Sequence, residues 1–298
     1  MAIFKVIDAP STLGLWPSGV EEPPAALKSV GLIQRLNADD AGAISPPAFS
    51  DQRDPDTLIR NSEAIRGYSQ AVADRILPVI KGGQFPILLG GDCSILIGAM
   101  LGLRRIGQFG LMFLDGHADF YQPEADPYGE AASMELAIVT GRGPKLLTDI
   151  EGLHPLIRDQ DVAVFGYRDA DTAVDEGSQD IRQTSIRNHE LHQLRTVGLQ
   201  SSLDEVLKIL VGDDLEGFWI HLDADVLSDT IMPAVDYRQP DGLSYEELAA
   251  VLQRLMRTGK AVGMTVTIFN PKLDPDGRIA QAFAECIVSG LTLQRLGG

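Results

Sequence analysis

Short, nearly continuous apolar runs alternate along the chain with longer stretches in which apolar residues recur at helical spacing. The short runs cover residues 4–7, 86–89, 111–114, 162–165, 217–222 and 262–268. They do not alternate between apolar and polar positions, which is the pattern of strands covered on both faces in a parallel sheet. Helical patterns fill the intervals at 57–80, 94–106, 131–140, 202–211, 245–257 and 279–296. Ser244 followed three residues later by Glu247 has the form of a capping box opening its helix. Strand–helix alternation of this kind predicts βαβ units with right-handed crossovers, hence an α/β fold built as a three-layer αβα sandwich with a mainly parallel sheet. No repeat, low-complexity tract or Pro/Ser/Gly-rich linker divides the chain, so a single domain over residues 1–298 is expected. The longest irregular stretches are 8–56, 120–130 and 226–243, and long loops in a compact domain are usually functional or poorly ordered.

Composition narrows the setting. With 298 residues, 44% of them hydrophobic, the chain can bury a sizeable core. No apolar stretch approaches the ~20 residues of a membrane span, and the N-terminus lacks the basic start and small-residue cleavage site of a signal peptide. The two cysteines, Cys93 and Cys286, lie in unlike contexts, which predicts free thiols and a reducing cytoplasm. A formal charge of -17 without any Lys/Arg-rich run argues against nucleic acid or anionic membranes as partners and leaves a small-molecule substrate.

Chemistry concentrates where apolar runs end. In open parallel sheets ligands bind beyond the carboxyl ends of the strands, and three runs end in ligand-type residues. Residues 86–89 lead into Gly90-Gly91-Asp92-Cys93-Ser94, residues 111–114 into Asp115-Gly116-His117-Ala118-Asp119, and residues 217–222 into Asp223-Ala224-Asp225. Positions i and i+2 of an extended chain project to the same side. Asp115, His117 and Asp119 therefore converge while the extended geometry persists, and Asp223 and Asp225 form a matching pair. Carboxylates held so close repel one another without a compensating cation. A lone Asp-x-Asp after a strand is commonly a turn or a cap; three such clusters together point to a divalent metal such as manganese, iron, nickel or zinc. Two ions about 3.5–4 Å apart need shared carboxylates.

These motifs resemble the signatures of the ureohydrolases (arginase, agmatinase, formiminoglutamase), which are Gly-Gly-Asp-His-Ser, Asp-Ala-His-x-Asp and Ser-x-Asp-x-Asp in that order. The third reads His221-Leu222-Asp223-Ala224-Asp225 here, and the similarity continues through Gly242-Leu243-Ser244, Asn270-Pro271 and the closing helix. The resemblance implies an arginase-like fold with two divalent ions, Mn2+ foremost. Asp115 and Asp223 would bridge them, Cys93 and Asp119 completing one site and His117 and Asp225 the other. It further implies a metal-bridging hydroxide, oriented by Asp119, that attacks a guanidinium or amidine carbon. The outcome is hydrolysis of a non-peptide C–N bond. Homo-oligomers, trimers or hexamers, are also implied.

The chain departs from the family pattern at several positions. Cys93 stands where the first histidine ligand is usual; it is either a thiolate ligand, favouring softer metals such as Zn, Fe or Ni, or a buried small residue. Ile268 occupies the place of the guanidinium-binding glutamate, and an isoleucine cannot form a bidentate charged pair. Ala132 stands where the loop histidine is usual. His221 replaces a small polar residue and is either a substitute acid/base or a core histidine. Asp171, in Gly166-Tyr167-Arg168-Asp169-Ala170-Asp171, is a candidate substrate contact or a loop aspartate beside a buried arginine. Glu130, Glu135 and Asp236 are further polar candidates, and His154, His189 and His192 are expected at the surface. The resulting expectation is a hydrolase of a linear amidine or guanidino-type substrate other than ordinary arginine. The alternatives are a catalytically inactive metal-binding relative with a regulatory or assembly role, and an amide-processing enzyme.

Overall fold

The computed structural model describes residues 2–292. Eight strands, β1 (Phe4–Ala9), β2 (Asp39–Ala43), β3 (Phe85–Gly90), β4 (Gly110–Leu114), β5 (Val162–Phe165), β6 (Arg187–His189), β7 (Phe218–Asp223) and β8 (Ala261–Thr267), form one sheet in the order β2-β1-β3-β8-β7-β4-β5-β6. Every pairing is parallel. The six strands expected from apolar runs all form, and β3, β4, β5 and β7 are buried along their whole length. The other two strands are the sheet edges. β2 has the sequence Asp-Asp-Ala-Gly-Ala and is mostly exposed, and β6 has only three residues. An edge strand need not be apolar, so neither left a run to read.

The helices are α1 (Pro23–Ser29), α2 (Leu32–Leu36), α3 (Ser62–Lys81), α4 (Ile95–Arg104), α5 (Glu135–Val139), α6 (Lys145–Thr148), α7 (Ala170–Asp175), α8 (Leu191–Val197), α9 (Leu199–Leu210), α10 (Tyr245–Arg257) and α11 (Arg278–Leu291). α3, α4 and α5 cover one face of the sheet, packing on Ile7, Leu88, Phe113 and Trp219. α1, α2 and α8 to α11 cover the other, packing on Val6, Ile87, Met112 and Ile220. The result is the three-layer α/β sandwich. α3 and α4 approach closely because Gly98 has no Cβ; one would lie 2.7 Å from Val72. The capping box of α10 forms as expected, Ser244 Oγ accepting from Glu247 N at 3.2 Å and Glu247 Oε2 from Ser244 N at 2.9 Å.

The expected boundaries shift in a few places. α3 starts at Ser62 rather than 57, because Leu58 and Asn61 hold φ of 60° and 56° in the preceding turn. The stretch 8–56, expected to be irregular, contains α1, α2 and β2, elements too short to show a period. The end of the expected 279–296 helix, residues 293–296, lies outside the described residues. Among the described residues no helix is long and apolar enough to cross a membrane.

Candidate metal centre

Parallel pairing throughout brings all strand carboxyl ends to one rim, and the three motif-bearing strands lie in the consecutive group β3-β8-β7-β4. Beyond β3 the backbone threads past Ser11 so tightly that a Cβ on Gly91 would meet the Ser11 carbonyl oxygen at 1.7 Å. This turn sets the Cys93 thiol against β7 and β8, where it donates to Asp223 Oδ2 at 2.8 Å and lies 3.1 Å from Thr267 Oγ1. Beyond β4, the amide of His117 donates to Asp115 Oδ1 at 2.7 Å and that of Gly116 to Asp225 Oδ1 at 2.9 Å. Beyond β7, the amide of Asp225 donates to Asp223 Oδ1 at 2.8 Å. His117 Nδ1 reaches Asp225 Oδ2 at 2.8 Å. Asp119 joins the cluster from a left-handed residue, φ 43°, so the extended geometry assumed for the Asp-x-His-x-Asp stretch ends before it.

Among the described residues, three overlapping groups can each offer ligand atoms within 4.8 Å of one another. They are Cys93, Asp115, His221 and Asp223; Cys93, Asp115, Asp119 and Glu135; and Asp115, His117 and Asp225. All six residues expected as metal ligands fall within these groups. Asp115 Oδ2, both carboxylate oxygens of Glu135 and His221 Nε2 are buried without a hydrogen-bond partner. Native proteins rarely leave such atoms bare. Carboxylates, imidazoles and a thiol whose lone pairs turn inward fit divalent cations.

The electrostatics say the same in another form. Burial, reinforced by neighbouring carboxylates, holds Asp115, Asp119, Asp223 and Glu135 well above the usual carboxylate range, and burial likewise raises the Cys93 thiol. Burial pulls His117 down, yet Asp225 and the carboxylates around it carry it up to about 9. Burial alone would raise Asp225, but His117 and the Gly116 amide hold it well below its ordinary value. His221, surrounded by core, is pushed down to about 3. Without cations the cluster therefore keeps protons that cations would displace.

A cavity of about 590 Å³ opens above, with His117, Asp119, Asp223 and Asp225 on its walls together with Glu130, Ala132, Asp169, Asp236, Tyr237 and Ile268. Glu130 is 4% exposed, accepts from Tyr237 Oη at 3.0 Å and lies 3.6 Å from Arg60; burial raises its carboxyl to about 7 against the pull of that hydrogen bond. Asp236 accepts from Ser18 Oγ at 2.6 Å and from Asn270 Nδ2 at 3.0 Å. Ile268 lines the wall at φ 67°.

Other expected site residues lie elsewhere. His221 is fully buried and is not among the residues lining the cavity. The side chain of Asp171 is 89% exposed and pairs with Arg182 at 2.7 Å, while Asp169 is the aspartate of that motif that faces the cavity. His154 and His192 are exposed as expected, but His189 is buried. It ends the unexpected edge strand β6 and packs on Phe165, ring centroids 5.8 Å apart. Glu135, a polar candidate inside the helical pattern at 131–140, is fully buried at the start of α5. The signal was present: a lone carboxylate in the otherwise apolar Met134-Glu135-Leu136-Ala137-Ile138-Val139.

Comparison with known proteins covers the same span. The arginase family profile matches residues 4–292. An arginase of Bacillus caldovelox is 29% identical over 290 residues, covering 94% of this chain and 95% of the relative. An arginase of Staphylococcus aureus (strain COL) is 28% identical over 287 residues, covering 93% of each. Among solved structures, the native arginase of Bacillus caldovelox at pH 5.6 matches with a TM-score of 0.90 at 27% identity, covering 100% of both chains.

Proposed function

This chain belongs to the arginase family, and from that membership we propose that it is a dinuclear metal-dependent hydrolase of a non-peptide C–N bond in a linear amidine or guanidino-type molecule other than ordinary arginine. The observation that carries the reading is the set of bare, buried lone pairs on Asp115, Glu135 and His221 beneath a cavity walled by His117, Asp119, Asp223 and Asp225. Asp115 and Asp223 would be shared between two divalent ions, with Cys93 and Asp119 on one side and His117 and Asp225 on the other. Manganese suits the oxygen-rich position, and the buried thiol admits zinc, iron or nickel at its own. Such ions, when bound, supply the Lewis acidity that makes water nucleophilic near neutral pH.

The remaining steps fall to the protein's own side chains. Asp119, on the cavity wall, accepts a hydrogen bond from the attacking water and aims it at the planar carbon. Glu130, raised to about 7, holds a proton near neutral pH and gives it to the leaving nitrogen. That task passes to Glu130 because the place of the loop histidine is taken by Ala132, and His221 lies beneath the cavity. Ile268 presents an apolar surface where a guanidinium would need a carboxylate, which favours substrates held through Asp236, Asp169 or Tyr237 instead. Two free, buried cysteines suit a reducing cytoplasm.

The absence of a carboxylate at Ile268 and of a histidine at Ala132 also favours a second reading, a metal-binding relative without turnover. Metal analysis with a turnover screen over guanidino, amidine, formimino and amide compounds separates the two. Turnover of one class with two ions bound supports the enzyme, and two bound ions without turnover on any compound supports the second reading. Urea release from arginine at enzyme-like rates overturns the role given to Ile268.

A further inference from the structure

We infer that His221 is itself a metal ligand, forming with Cys93, Asp115 and Asp223 a buried four-donor site for zinc or ferrous iron. This rests on the metal-centre reading above and gives His221 the place assigned there to Asp119, which keeps its role toward the attacking water.

His221 stands two residues before Asp223 on β7, with the same side-chain parity, and pairs in register with Phe113 of β4 and Thr265 of β8. Those neighbours fix its ring. Phe113 stacks on it at 4.7 Å between centroids and 22° between planes, and Thr265 Oγ1 lies 2.7 Å from Nδ1. With Nδ1 engaged, Nε2 faces Asp115 Oδ2 at 3.9 Å. Both atoms are buried and neither has a hydrogen-bond partner. The separation is too long for a hydrogen bond. It lies between the roughly 3.4 Å spacing of tetrahedral ligands about 2.0–2.1 Å from zinc and the roughly 4.2 Å limit for any two such donors, within reach of two ligands of one ion. Cys93 and Asp223 complete the set, all four residues being at most 2% exposed.

The arrangement repeats the usual build of a histidine ligand: one ring nitrogen is oriented by a second group so that the other points at the metal. A thiol, an imidazole and two carboxylates form a softer set than carboxylates alone, which moves preference from manganese toward zinc or ferrous iron. Acid/base duty fits His221 poorly, because it is fully buried and does not line the cavity. The rival set, Cys93 with Asp115, Asp119 and Glu135, contains no imidazole, so counting liganded rings distinguishes the two.

The test uses the full chain labelled with 15N-histidine and loaded with zinc. A metal-bound ring nitrogen has its own chemical-shift range, against which the rings of the five histidines are counted. Two liganded rings are expected, one lost in His117→Asn and the other in His221→Asn. In wild-type protein, X-ray absorption at the zinc edge should also show a sulfur at about 2.3 Å. Zinc affinity of one site should fall at least tenfold in Thr265→Val, which frees the ring without removing it. A protein that takes up two ions with a single liganded ring, abolished by His117→Asn, overturns the inference and leaves the proposed function standing. A protein that takes up no divalent ion overturns both.

Discussion

Ile268 meets the cavity from a left-handed backbone, φ 67°, a conformation that costs a β-branched residue roughly 1–3 kcal/mol. Its neighbours impose that geometry, its amide donating to the Gly91 carbonyl at 3.0 Å. Ile268→Glu is expected to place a carboxylate on the wall and to tighten binding of free guanidinium by about tenfold or more, given roughly 1.5–3 kcal/mol for a charged hydrogen bond; isothermal titration measures it. Glu130 offers a second test at this scale. Its carboxyl is protonated below about 7, so activity that needs its proton declines as pH rises through that value. Glu130→Gln is expected to lower kcat roughly 100-fold or more and to remove that alkaline decline from the pH profile. The Asp, His and Cys ligand candidates could be read from the sequence because their spacing is regular. Glu135 showed only as a lone carboxylate in an apolar run, and the character of Glu130 could not be read at all, since it comes from burial and from Tyr237 and Arg60, far away along the chain.

At the level of elements, the strands that carry the chemistry were the readable ones. β3, β4 and β7 are covered by helices on both sides and so are buried throughout and largely apolar, and the polar residues at the ends of these runs stand out against that background. β2 and β6 sit at the edges and left no such contrast. What the sequence cannot show is how closely separate tips approach. The Gly90-Gly91 turn depends on the β1–α1 connection, where Ser11 leaves no space for a side chain at position 91. Gly91→Ala is therefore expected to destabilise the fold by at least roughly 1–3 kcal/mol and to lower metal content by shifting Cys93; denaturant titration and elemental analysis check the two effects separately.

The whole molecule carries a formal charge of -17 and concentrates part of its acidity where solvent cannot reach. Asp115, Asp119, Asp223 and Glu135 are all raised, so the metal-free folded state binds more protons than the unfolded chain above the ordinary carboxylate range. Stability of that state is full at low pH and is lost as pH rises through the raised values. Chelator-stripped protein is thus expected to melt at progressively lower temperature as pH rises above the ordinary carboxylate range. Added zinc or manganese should reverse the trend, because their binding displaces the same protons. A melting temperature indifferent to chelation above that range would remove the ions from the account. Fold class was legible at this scale because the alternation of periods runs the length of the chain, whereas the total of buried charge emerges only once the strands are side by side.

Because every strand runs the same way, the rim opposite the cavity consists of strand beginnings, and exposed Lys260 lies there just before β8. Both native thiols are shielded in the interior. A single Lys260→Cys substitution would give a uniquely reactive handle, tethering the protein to an electrode or bead with its mouth turned outward.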